Sequence, residues 1–84
     1  MNTFTLAAGI SRQYISLKHG AHTVEQWKVL ARRTAEVIEM IKCEKETVYA
    51  EGPSVHGRFT QSKLDVLDGR EFRMCAIFDN CLAN

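Results

Sequence analysis

At 84 residues and 9.5 kDa the chain has room for one small domain, residues 1–84, with one modest core. Hydrophobic residues make up 45%, which excludes a disordered polar chain, and no apolar run is long enough for a transmembrane helix. The net charge of +1 selects no partner by itself, but residues 1–33 carry five Lys/Arg against one Glu and residues 34–84 carry six against nine Asp/Glu. A basic front half and an acidic back half suit a nucleic-acid face joined to a partner-facing or solvated half. The opening MNTFTLAAG lacks the basic start and apolar stretch of a signal peptide, so a cytoplasmic setting is expected. Cys43, Cys75 and Cys81 are odd in number and irregularly spaced, unlike a disulfide framework.

The first informative stretch is Ala8–Ser16, AGISRQYIS, followed by LKHG to Gly20. Gly9 can adopt the positive φ that closes a first short helix. Ser11 can cap a second helix by accepting a backbone N–H. Ile15 would then turn inward, with Arg12, Gln13 and Ser16 facing out. Arg and Gln are side chains that read guanine and adenine edges in the major groove. Over roughly residues 3–31 this pattern resembles helix-turn-helix proteins of the Cro and phage-repressor type. In that family a glycine turn and a Ser precede an Ile-Ser pair, here Ile15-Ser16, and a following Gly, here Gly20. The resemblance implies double-stranded DNA as partner, with Arg12, Gln13 and Ser16 at base edges and Lys18, Lys28 and Arg32 near phosphates. The same residues also admit an N-terminal β-hairpin. Phe4 and Leu6 alternate, Ala-Ala-Gly makes a turn, and Ile10–Leu17 returns as a strand.

Thr23–Cys43 is the most regular segment, and it predicts a helix over roughly 24–43. Thr23 and Gln26 form a capping box. Trp27, Leu30, Ala31, Thr34, Val37, Ile38 and Ile41 recur at spacings of three and four and make one apolar face. Trp27 and Ile38 are expected in the core. Burying the large members of this face contributes about 2 kcal/mol each.

After Lys45 the pattern changes. Glu46–Ala50 is short and rich in β-formers, and Gly52-Pro53-Ser54 reads as a turn. Val55–Thr60 alternates and reads as a strand. Leu64–Leu67 leads into Asp68-Gly69, a two-residue hairpin signal. Arg70–Phe78 would return with Phe72, Met74 and Ala76 on one side. The expected fold is therefore α+β: one long amphipathic helix on a small antiparallel sheet, with the helix-turn-helix-like or hairpin segment in front.

No catalytic constellation emerges, so an enzyme is not expected. His19, His22, Cys75 and Cys81 lack the spacing of a zinc knuckle. No metal or cofactor is expected, the histidines read as loop residues, and Cys75 reads as a small buried hydrophobe. His56 with Cys75 or Cys81 has nothing to fix its geometry. Gly52, Gly57 and Gly69 are isolated and form no phosphate loop.

Two functions remain. One is a small DNA-binding transcriptional regulator of phage or mobile-element type, with the sheet as a wing or homodimer surface. The other is a small inhibitor or adaptor that blocks a larger host protein, through a sheet edge or an acidic hairpin of Asp65, Asp68 and Glu71. Neither reading involves a membrane.

Overall fold

Three helices account for nearly all of the computed structural model, which describes residues 2–20 and 22–84. Helix α1 spans Thr3–His19, α2 spans Val24–His56, and α3 spans Thr60–Ala83, with a single 3₁₀ turn at Gly57–Phe59 before α3. No strand occurs among the described residues. The molecule is a rod measuring 49 × 19 × 17 Å. Its long axis follows α2, whose unbroken run from Val24 to Glu51 reaches about 42 Å at about 1.5 Å per residue.

Each helix carries an apolar stripe of mean period near 3.5, the spacing of helices that pack side by side. In α1 the stripe is Thr3, Ala7, Ile10, Tyr14 and Leu17, alternating steps of four and three. In α3 it is Leu64, Leu67, Met74, Ile77 and Cys81, with Phe78 partly buried beside it. The α2 stripe is wider because it faces both neighbours, running from Trp27 through Leu30, Ala31, Val37, Ile38 and Ile41 to Val48. Trp27 and Ile38 are core residues, as their spacing predicted. Thr34 is fully buried but satisfied, because its hydroxyl donates to the Leu30 carbonyl at 2.7 Å.

The pairings fix the topology. Thr3 meets Glu44 and Tyr14 meets Trp27, so α1 is antiparallel to α2. Lys45 pairs with Asp68 and Glu71, so α3 is also antiparallel to α2. Helices α1 and α3 therefore run parallel, side by side on α2. Because α1 begins opposite Glu44 and Arg70, the α2–α3 hairpin continues beyond it as a two-helix prong.

The expected α+β fold is corrected at four places. First, α1 runs unbroken through Gly9, so residues 3–19 form neither a helix-turn-helix nor a β-hairpin. Its stripe places Ile10 in the core and leaves Ile15 exposed. Second, α2 does not stop at Cys43. Val48 lies seven residues after Ile41 and extends the same stripe, which overrides the β-preference of Thr47 and Tyr49. Third, the Gly52-Pro53 turn is a break within α2. Gly52 takes φ +54°, Pro53 starts one further helical turn, and Gly57 takes φ +57° at its end. Fourth, Asp68-Gly69 is not a hairpin turn but lies mid-helix in α3. Met74 is fully buried while Phe72 and Ala76 are exposed, the reverse of a strand with all three on one side.

Two predictions follow from this architecture. A Cβ built on Gly69 meets nothing within 4 Å, and the backbone there is helical. Gly69→Ala is expected to stabilise the protein by about 0.5–1 kcal/mol, measured by urea unfolding. An Asp-Gly hairpin turn would give the opposite sign. The second concerns Lys45, whose ammonium is held above the ordinary lysine value. The main cause is its hydrogen bond to Asp68, opposed by desolvation and reinforced by the charge of Glu71. A raised pKa means the stabilisation is present below the unfolded lysine value of about 10.4 and is lost as pH rises through the folded value. Above about pH 10.4 the unfolding midpoint should fall more steeply in the wild type than in Lys45→Met.

Candidate functional site

The opening between α1 and α3 is set by side-chain size. Both helices direct their stripes at α2. Where they face each other the residues are small: Ala7, Ala8 and Ser11 on α1, Gly69 and Ala76 on α3. Three depressions lie along α3, the first on the α2–α3 prong and the other two in the α1–α3 seam. One of about 470 Å³ lies on the prong between Val48, Phe59, Lys63, Val66, Leu67 and Arg70. One of about 440 Å³ lies between Phe4, Ala8, Ser11, Val66, Gly69 and Arg73. One of about 300 Å³ lies between Ser11, Ile15, Arg73, Ala76 and Asn80. Val66 and Arg70 border the first two, and Ser11 and Arg73 border the last two, so the three adjoin in a row along α3 and together make a groove.

The groove is apolar and open to solvent. Val48, Leu67, Ala7 and Ile77 belong to the core beneath it. Phe4, Ile15, Phe59 and Val66 line it while remaining 56–63% exposed. Contiguous apolar surface left in water by a small protein commonly marks an interaction site.

One polar junction pins the groove in the middle. The Glu44 carboxylate accepts the Thr3 backbone N–H at 3.0 Å. Arg70 donates to the Thr3 hydroxyl at 2.8 Å and lies 3.8 Å from the second Glu44 oxygen. The Arg70 guanidinium sits 5.6 Å over the Phe4 ring, a cation–π distance that fixes that ring at the groove edge. Glu44 is the acidic residue lining the groove, and Arg70 engages it. Lys63 and Arg73 line the same groove and have no ion-pair partner among the described residues.

The residues expected to read DNA lie on α1 and α2, which meet at Gln13–Arg33 and Tyr14–Trp27. Arg12 and Ser16 lie one turn apart, exposed on α1. Gln13 is half-buried, and its carbonyl accepts a hydrogen bond from Arg33 of α2. Lys18 is exposed, with its ammonium 5.8 Å from the centre of the Tyr14 ring. Lys28 is 3.6 Å from Glu25, and Arg32 is exposed one turn further along α2. The acidic trio is not a free hairpin. Asp68 and Glu71 both engage Lys45 and tie α3 to α2, while Asp65 accepts from Gln61 at 2.8 Å.

The histidines and cysteines are separated. His22 stands edge-on to Trp27 with ring centres 4.9 Å apart, and its Nδ1 lies 2.8 Å from the Gly20 carbonyl. His56 is paired with Glu51 at the helix break. Among the described residues no group of three or more His, Cys, Asp and Glu side chains converges. All three cysteines are free thiols. Cys75, expected to be buried, is exposed. Cys81 is the buried one, and desolvation pushes its thiol pKa up.

Phe4, Val66, Gly69, Arg73 and Ala76 were not singled out as site residues by their sequence context. The available signal is indirect. Once the stripes of α1 and α3 are assigned, Phe4, Ile15 and Val66 are left off them, but so are Leu6, Phe72 and Leu82, which do not line the groove. Among the described residues no helix is long and apolar enough to cross a membrane. No protein-family model, curated protein or solved structure matches the chain.

Proposed function

We propose that the chain is a small, non-catalytic adaptor or inhibitor, acting in the cytoplasm, that engages a larger protein through the groove along α3. The observation that carries this reading is the groove itself: about 30 Å of apolar surface along α3, of which the α1–α3 part is left open by Ala8, Ser11, Gly69 and Ala76. Other exposed apolar side chains such as Phe72 and Leu82 lie outside it, while Phe4, Ile15, Phe59 and Val66 are exposed along it. Burying them against a partner would supply the apolar centre of an interface, with Lys63, Arg73 and Asn80 at its polar rim.

Duplex DNA binding is the competing reading. It draws on Arg12, Ser16 and Lys18, which are exposed on α1, and on Arg32 of α2. The glycine turn that would set α1 as a recognition helix is not formed, so this reading rests on charge rather than on a docking motif.

One experiment separates the two. Tagged wild type, Val66→Asp, Arg12→Ala and a control, Glu36→Lys at an exposed α2 position that does not line the groove, are compared on duplex DNA at low ionic strength and in extract of the source cells. The expected result is a protein captured equally by wild type and Glu36→Lys, and at least tenfold less by Val66→Asp. Salt-dependent retention on DNA that Arg12→Ala abolishes, with no capture sensitive to Val66→Asp, would replace the adaptor reading with the DNA one.

A further inference from the structure

We infer that the groove accepts an amphipathic helix with acidic flanks, supplied by a different protein; this deepens the protein-binding reading and rests on it. The shape argues for a helix. The groove follows one face of α3 from Phe59 to Asn80, which is about 32 Å at 1.5 Å per residue. No strand edge occurs among the described residues, so an extended peptide would find no ladder for its backbone groups. A helix satisfies its own backbone and needs only side-chain contact. The small walls at Ala8, Ser11, Gly69 and Ala76 leave room for its ridge of larger apolar residues. A Cβ on Gly69 meets nothing within 4 Å, so that gap is not filled by the protein itself.

The charges argue for acidic flanks. Lys63 and Arg73 lie ten positions apart on α3, about 15 Å, and both have no ion-pair partner among the described residues. The carboxylate lining the groove, Glu44, is held by Arg70 and Thr3. The groove therefore presents uncompensated positive charge beside apolar surface. Acidic residues flanking the apolar ridge of an incoming helix would be steered to it and paired there. The same charge disfavours a second copy packed groove to groove, since two Lys63 and two Arg73 side chains would share one interface.

The test uses two synthetic 21-residue peptides with Leu at i, i+3, i+4 and i+7 spacing. One carries Glu at the flanking positions, and its twin carries Lys. Binding is followed by amide shifts in ¹⁵N NMR and by titration. The acidic peptide should move the amides of Val66, Gly69 and Ala76 and bind at least tenfold more tightly than its twin. Val66→Asp should weaken it at least tenfold. Arg73→Glu should abolish the preference between the peptides, and Lys63→Glu combined with it should reverse it. Gly69→Leu, which fills the gap and favours the helix, should block binding with helicity intact by circular dichroism. Equal affinity for both peptides would overturn the acidic preference and leave protein binding standing. Absence of groove shifts with either peptide would overturn the helix occupant. It would overturn the protein-binding reading too only if capture were also insensitive to Val66→Asp. A wild-type dimer in sedimentation that Val66→Asp dissociates would assign the groove to a second copy and overturn the inference.

Discussion

The junction of Glu44, Thr3 and Arg70 sets the level at which the three helices meet. Apolar stripes of period 3.5 are nearly degenerate: sliding one helix by seven residues, about 10 Å, matches apolar residues to apolar residues again. A buried polar group breaks that degeneracy because it has a single partner position. Glu44 accepts one of the N–H groups that the start of α1 leaves without an intrahelical acceptor, and its negative charge lies at the positive end of the α1 dipole. Arg70 closes the junction from α3. Removing the carboxylate would leave a half-buried guanidinium and an orphan amide, each costing about 1–3 kcal/mol. Lys45, the next residue, ties α2 to α3 at the same level through Asp68 and Glu71.

The groove is a consequence of that register. With Thr3 fixed against Glu44, α1 covers only the first part of α2, and the prong beyond it has two helices where the rest of the rod has three. Phe4, the next residue, is held under Arg70 at the mouth of the seam. The seam stays open because Gly69 and Ala76 face Ala8 and Ser11. Glycine within a helix and large apolar side chains in water both lower the stability of the isolated chain. Features of that kind concentrate where a protein holds surface ready for something else.

How much of this was legible in the sequence depended on whether a signal was local or paired. The capping box at Thr23 and Gln26 is local, and α2 starts there. The burial of Trp27 and Ile38 followed from spacing alone. The two glycine signals misled because they are local statements about turns. Gly9 and Asp68-Gly69 permit turns without requiring them, and here the apolar stripes of α1 and α3 run through both. The step of seven from Ile41 to Val48, and the recurrence of Leu64, Leu67 and Met74, carried the better information. The groove was not legible because it is a gap between residues some sixty positions apart. The roles of Asp68 and Glu71 were hidden for a related reason, since each depends on where Lys45 lies in a helix that the sequence suggested had already ended.

The division into a basic front and an acidic back also changes meaning once the chain is folded. Antiparallel packing returns the acidic half against α2, and several of its carboxylates become internal ties. Asp68 and Glu71 meet Lys45, and Glu44 meets Arg70. Each such pairing removes a negative charge from the surface available to a partner. Lys63 and Arg73 come from the half with excess acid, yet lie in the groove without an ion-pair partner among the described residues. Charge sign along the chain therefore does not by itself locate the charge that the groove presents. What matters for recognition is the charge left over after the fold has used its share, and along the groove that remainder is positive.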